Sequence, residues 1–183
     1  MWSVWEVVEV VLVALVTVFL IRTFLVQPFL VSGASMEPNF SSGDYLLVDE
    51  LTYRFREPSR GEVVVFRYPL DTSVFFIKRI IGMPGEQIVA AAGVMTVYAA
   101  DETSFTLDEP YLSPSSASDD TFDVTLGSDQ YFILGDNRSH SFDSRNWGAI
   151  QRDDIIGIAR LRILPVTRAM VFTPPAYEPL PAP

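Results

Sequence analysis

The chain has 183 residues, 13 basic and 23 acidic side chains and a net charge of −10, a sign that excludes a nucleic-acid binder, which needs a basic stripe to displace counterions. Cysteine is absent and histidine occurs once, at His140; this excludes disulfides, thiolate nucleophiles and Cys-ligated zinc and leaves little room for a histidine metal cluster. Apolar residues make up 49%, too many for a disordered chain and enough for one core.

Residues 4–21 read VWEVVEVVLVALVTVFLI, broken only by Glu6 and Glu9. Eighteen residues at helical rise span about 27 Å, close to the thickness of a hydrocarbon core. Residues 1–22 are therefore read as a transmembrane anchor that Arg22 closes, with the two glutamates near the membrane–water boundary. A cleaved signal peptide would want a basic leading region and a small-residue site soon after the apolar core, and neither is present. A buried core helix is the other alternative. The first 21 residues hold no Lys or Arg, so charge bias does not orient the segment.

Beyond Arg22 the patterns are short, β-branched and aromatic, with turn residues between them. Strands are expected at 23–31, 44–51, 62–68, 74–81, 87–92, 94–98, 131–134 and 155–164. Residues 99–127, acidic and rich in Ser, Thr and Asp, read as a small insertion or mobile loop. The tail TPPAYEPLPAP has too much proline to join a sheet and is expected to trail in solvent. The fold class is thus mainly β: the N-terminal transmembrane helix, one β-rich domain over 23–172, and a Pro-rich tail over 173–183.

Twelve of the thirteen basic residues are Arg; the one Lys is Lys78, in VFFIKRII. Alternation puts Phe76, Lys78 and Ile80 on one face of a strand and Phe75, Ile77, Arg79 and Ile81 on the other. Desolvation between large apolar neighbours lowers an amine's pKa, and Arg cannot exploit this because it stays protonated. Lys78 is therefore a candidate proton acceptor, with an edge lysine pointing to water as the alternative. Ser35, in SGASMEP, is a candidate nucleophile. The small Gly33 and Ala34 before it let a substrate backbone approach and main-chain N–H groups face an oxyanion. An ordinary serine-rich turn is its alternative. Ser-His-Asp chemistry stays formally open through His140 with Asp136 or Asp143, although His140 lies between serines in a polar turn. The third block, YFILGDNRSHSFDSRNWG, runs from an apolar strand into a turn of hydroxyls, acids and arginines.

Taken together, SGASMEP (32–38), GDYLLVDEL (43–51), RGEVVVFRYP with FFIKRIIGMPGE (60–69 and 75–86), LDEPYL (107–112) and GDNRSHSFDSRNWG (135–148) resemble, in order, the boxes of bacterial type I signal peptidases. These are membrane-anchored serine proteases that remove signal peptides. The resemblance implies a mainly β catalytic fold in which Ser35 is the nucleophile and Lys78 the general base of a Ser-Lys dyad, with no metal or organic cofactor. It implies that Ser141 orients the lysine amine and that Asp143 with Arg145, and Asp136 with Arg79, are supporting ion pairs. Val31, Met36, Phe76 and Ile77 fall where the family accepts small substrate side chains. The implied partners are signal-peptide-bearing preproteins and the lipid bilayer, for a monomer whose catalytic domain lies on the extracytoplasmic side of the cell membrane.

Three positions depart from the pattern. Gly33 stands where some members carry a serine that helps bind the oxyanion, Asn39 replaces a usual Thr, and Ser139-His140 replaces a more usual Asp-Asn. A self-cleaving Ser-Lys peptidase of the repressor kind would lack the anchor. A tethered binding module that has lost activity would not need both Ser35 and Lys78.

Overall fold

The computed structural model describes residues 3–24, 26–99, 101, 103–116, 119–175 and 177, with the side chains of 18–24, 26 and 115 outside the description. Helix α1 (Val4–Phe24) begins in a reciprocal cap. Ser3 N–H donates to Glu6 Oε2 at 2.7 Å, and Glu6 N–H donates to Ser3 Oγ at 3.3 Å, so Glu6 serves the first turn of the helix. The helix runs two residues past the expected boundary, and its apolar residues are spread around every side. Among the described residues no helix is long and apolar enough to cross a membrane. The described helix side chains cover 4–17, about 21 Å of rise, and the rest of the expected span lies outside them.

Strands β1 (Val26–Leu30), β2 (Tyr45–Asp49), β3 (Val63–Tyr68), β4 (Asp71–Gly82), β5 (Gln87–Ala91), β6 (Val94–Tyr98), β7 (Ser104–Thr106), β8 (Phe122–Thr125), β9 (Gln130–Leu134), β10 (Ile150–Gln151), β11 (Ile155–Leu164) and β12 (Met170–Val171) follow, with a one-turn helix α2 (Ser144–Trp147) after β9. Among the described residues they form two sheets. The larger runs β1-β2-β11-β3-β4-β9-β10 with β12 beside β11; the smaller runs β7-β6-β5-β8. Each expected strand forms within a few residues of its predicted limits. Residues 99–127 differ from a plain loop, because β7 and β8 lie within them and pair with β6 and β5 in the smaller sheet.

Strand β3 is buried on both faces from Val63 to Phe66, which explains its uninterrupted apolar sequence. Along β4, Ile80 packs with Val64, Phe66 and Ile133 in one core, while Ile81 packs with Ile88, Phe132 and Leu134 in another. Successive side chains point to opposite faces, so Lys78 and Arg79 stand at the edges of different cores. A third cluster, around Met36, Phe40, Leu46 and Val63, lies under the turn that follows β1. Strand β11 fits between β2 and β3 through a bulge near Gly157, where a Cβ would stand 2.6 Å from the Asp49 carbonyl oxygen.

The expected solvent-trailing tail is corrected at Tyr177, which packs against the core between the sheets and whose hydroxyl lies 3.5 Å from that of Tyr111. Phe172, the residue before the tail, stacks on Phe40 with ring centroids 4.2 Å apart, and its N–H donates to the Arg160 carbonyl at 2.8 Å. Proline removes ladder donors, but it does not prevent flanking aromatic rings from burying apolar surface. The tail beyond Tyr177 lies outside the described residues.

Candidate active site

The turn after β1 carries Ser35. Val31 extends the β1–β2 ladder beyond the strand, its N–H donating to the Asp44 carbonyl at 2.9 Å while its own carbonyl accepts from Gly43 at 2.9 Å. Asp44 is fully buried and receives Arg162 and Arg168, each at 2.8 Å. The turn is fixed from its other side by Asn137, whose main-chain N–H donates to the Ser35 carbonyl at 3.0 Å and whose Nδ2 donates to the Ala34 carbonyl at 3.1 Å.

Lys78 enters from the middle of β4, paired with Val64 of β3. Its Nζ lies 2.7 Å from Ser35 Oγ and 2.9 Å from the Ile77 carbonyl oxygen. The side chain is buried, and no carboxylate among the described residues forms a salt bridge with it. Burial pushes the amine down to about 8, against the opposing pull of the Asp143 and Asp136 charges. At that value about one amine in ten is neutral at pH 7, against fewer than one in a thousand at the ordinary value.

Two buried ion pairs bracket the dyad. Arg79 meets Asp136 in a two-pronged contact, Nε to Oδ1 at 2.8 Å and Nη2 to Oδ2 at 2.7 Å. Arg145 meets Asp143 likewise, with both bonds at 2.8 Å. Asp143 also accepts the Gly135 N–H at 3.0 Å and caps helix α2. Both pairs expected from sequence therefore form. Ser141 Oγ is buried without a hydrogen-bond partner and does not bond to Lys78. It stands against Gly135, where a Cβ would fall 2.2 Å from Ser141 Oγ and 2.4 Å from the Ser35 carbonyl oxygen.

The dyad opens on a cleft of about 490 Å³, lined by Val31, Gly33, Phe76 and Ile77 among others. Met36 is a correction. It is fully buried in the cluster below the turn and does not line the cleft, because the turn directs the residue after Ser35 inward. Gly33 adopts a positive φ of 100° with open space around it, a conformation suited to glycine.

Several contributors were not singled out as supports from sequence. Asn39 donates to Asp136 Oδ2 at 2.8 Å and to the Tyr111 carbonyl at 2.9 Å. The Tyr111 ring lies 3.9 Å from the Arg79 guanidinium, and Arg138 pairs with Glu109, so LDEPYL packs onto the last box. His140 reaches the cleft rim beside Phe142, but its hydrogen-bonded neighbour is Ser139 Oγ at 2.9 Å. With Asp136 and Asp143 both committed to arginines, no His-Asp pair forms. Among the described residues no cluster of three or more His, Asp or Glu side chains is placed to hold a metal.

A two-sheet β scaffold that brings a hydroxyl and a buried amine together at an apolar cleft points to the class of serine peptidases. Comparison with known proteins narrows the class. Residues 4–164 match the family described as signal peptidase, peptidase S26. The chain is 36% identical over 174 residues to a probable signal peptidase I-2 of Synechocystis sp., covering 92% of this chain and 77% of the relative. It is 32% identical over 171 residues to signal peptidase I P of Bacillus subtilis subsp. natto, covering 88% and 89%. A crystal structure of a signal peptidase I from Enterococcus faecalis matches 56% of this chain and 97% of that chain, at 25% identity and a TM-score of 0.47. The chain belongs to the signal peptidase family, peptidase S26, and its activity is the signal peptide cleavage of a signal peptidase I.

Proposed function

We propose that Ser35 is the nucleophile and Lys78 the general base, and that the enzyme cuts exported preproteins after small residues in Ala-x-Ala type sites. The observation that carries this reading is the 2.7 Å approach of Ser35 Oγ to a buried amine with a lowered pKa. In the cycle, neutral Lys78 takes the Ser35 proton as Oγ attacks the scissile carbonyl carbon. The peptide C–N bond breaks, the leaving amine takes the proton from Lys78, and an acyl-Ser35 ester remains. Lys78 then takes a proton from water as the water attacks the ester, and Ser35 recovers its hydrogen.

Ser141 is read as the hydroxyl that steadies the amine, which fits a buried Oγ with no other partner. The ion pairs Asp136–Arg79 and Asp143–Arg145 hold the loop that carries it. Because Gly33 brings no hydroxyl, stabilisation of the oxyanion falls to main-chain N–H groups of the nucleophile turn. Val31, Phe76 and Ile77 shape the cleft for short side chains.

Helix α1 is the membrane anchor in this reading. It is apolar on every side, and its described side chains are exposed instead of packed on the β domain, a pattern that fits lipid; the family is membrane-associated. The catalytic domain, a monomer, then works on the extracytoplasmic side, where exported chains emerge.

The test is cleavage of a preprotein by purified full-length enzyme in detergent. Ser35→Ala and Lys78→Arg are each expected to abolish cleavage while the circular dichroism of the fold is kept. Lys78→Arg keeps the charge and removes the base, so retained activity in that variant would reject the assignment.

A further inference from the structure

Asp44 is a fully buried carboxylate that no step of the cleavage cycle uses. It closes the loop that carries Ser35, accepting the Ser41 N–H at 2.9 Å. Arg162 and Arg168 each reach it at 2.8 Å, one more guanidinium than its single charge requires. Both arginines also hold the loop directly. Arg162 Nη1 donates to the Asn39 carbonyl at 2.9 Å and Arg168 Nη1 to Ser41 Oγ at 3.2 Å. Phe172 stacks on Phe40 of the same loop, and the Arg162 guanidinium lies 5.4 Å from its ring.

These three side chains come from one short stretch that folds back beside β11. The strand ends at Leu164, a turn closes at Arg168, whose N–H donates to the Pro165 carbonyl at 2.9 Å, and β12 returns with Met170 opposite Arg162. Arg162 Nε donates to the Arg168 carbonyl at 2.7 Å, so one buried guanidinium binds the loop and the returning strap together. The family match ends at residue 164; it includes Arg162 and stops before Arg168 and Phe172.

Hydrogen bonds continue from the strap to the nucleophile. Arg168 holds Ser41 and Asp44, the Phe40 N–H beside them donates to the Met36 carbonyl at 2.9 Å, and the Glu37 N–H donates to the Ala34 carbonyl at 3.2 Å. Residues 36–44 do not line the cleft, and neither do those of the strap. A substrate in the cleft touches neither, so the strap acts on the reaction through the loop. We propose that Arg168 is a positioning residue for the reaction, and that its grip on Ser41 and Asp44, with Arg162 and Phe172 beside it, fixes where Ser35 Oγ stands against Lys78 Nζ. The proposal rests on the reading of Ser35 as the nucleophile. Asn137 restrains residues 34 and 35 directly, and the strap clamps the loop that follows them. The flat fork of an arginine suits this work, because it meets two acceptors of one loop at once.

Arg168 is 45% exposed, and Asp44 keeps Arg162 when it is removed, so Arg168→Gln is expected to fold. Preprotein cleavage by this purified full-length variant in detergent should show kcat lowered by about tenfold, the scale of a sub-ångström displacement of the nucleophile, with KM changed by less than about twofold. KM is kept because the main-chain bonds from Val31 to Gly43 and Asp44 hold the cleft wall without Arg168. Arg168→Lys keeps a charge for Asp44 but loses the fork, and should recover part of the lost kcat. Arg160→Gln is the control: it breaks an ion pair of similar exposure, to Asp49, and should leave kcat unchanged. Wild-type kcat in Arg168→Gln, an equal loss in Arg160→Gln, or a change confined to KM would overturn the positioning role. Ser35→Ala, measured beside them, keeps the two readings apart. If it still cuts, the dyad reading fails and the positioning role with it; if it is inactive while Arg168→Gln cuts at the wild-type rate, the strap fails and the dyad stands.

Discussion

Asn137 donates its main-chain N–H to the Ser35 carbonyl at 3.0 Å, so a turn about a hundred residues downstream in the chain holds the candidate nucleophile in place. This bond joins the last motif to the first and brings Gly135 and Ser141 to the same point. Geometry of this kind makes the site sensitive to atoms that perform no chemistry.

Gly135→Ala is the sharpest case. The added methyl would meet Ser141 Oγ at 2.2 Å and the Ser35 carbonyl at 2.4 Å, so one side of the site must move. A displacement near 1 Å costs about 100-fold in rate. The expected result is a drop in kcat of that order for preprotein cleavage, with the far-ultraviolet dichroism unchanged.

Lys78 links activity to pH and stability. With the amine pushed down to about 8 in the fold, kcat/KM should rise through a limb near that value as the base loses its proton. The unfolded chain keeps this amine near its ordinary 10.5. Between about 8 and 10.5 the unfolded state therefore binds more protons, and the contribution of this group makes the fold more stable as pH rises through that window. Below it the folded protein carries the full cost of a buried ammonium. Lys78→Met should then stabilise the fold at pH 7 by on the order of 2 to 3 kcal/mol, an advantage that fades above pH 10. Urea unfolding of both proteins at the two pH values measures the difference.

The Arg79–Asp136 pair is buried on both sides, so removing one partner strands the other. Asp136→Asn should lower stability by about 3 kcal/mol or more. Asn39→Ala, which deletes a neutral donor to the same carboxylate and to the Tyr111 carbonyl, should cost about 1 to 2 kcal/mol. Thermal unfolding of the two variants side by side would separate a charge effect from the loss of neutral hydrogen bonds.

Phe172, the last residue of the β domain, predicts a stability effect outside the family match, which ends at residue 164. Phe172→Ala removes a half-buried ring stacked on Phe40 and should destabilise the domain by roughly 1 to 3 kcal/mol. A change below a few tenths in denaturant unfolding would mean that the ring does not pack in solution.

Much of this arrangement was readable before any coordinates. The β-branched runs of β3, β4, β5, β6, β9 and β11 announce themselves, and Lys78 stands out because arginine fills every other basic position. Strands β7 and β8 were missed because SFT and FDVT, three and four residues long in an acidic, serine-rich stretch, are too short to show alternation before they pair with β6 and β5. Met36 was assigned to the cleft by the family resemblance, whereas the turn buries it. Asn137, Tyr111 and Gly135 act through contacts with residues tens of positions away, which no local pattern encodes. The tail was misjudged from its proline content, since the packing of Tyr177 is a tertiary event.

The order of strands in the large sheet has one further consequence. Ser35 belongs to the hairpin of β1 and β2 and Lys78 to the hairpin of β3 and β4, and the element seated between these hairpins is β11, among the last to leave the ribosome. A nascent chain carries both halves of its cutting machinery long before the wedge that joins them is made. The 2.7 Å approach of the two side chains is thus set across a strand encoded after both of them.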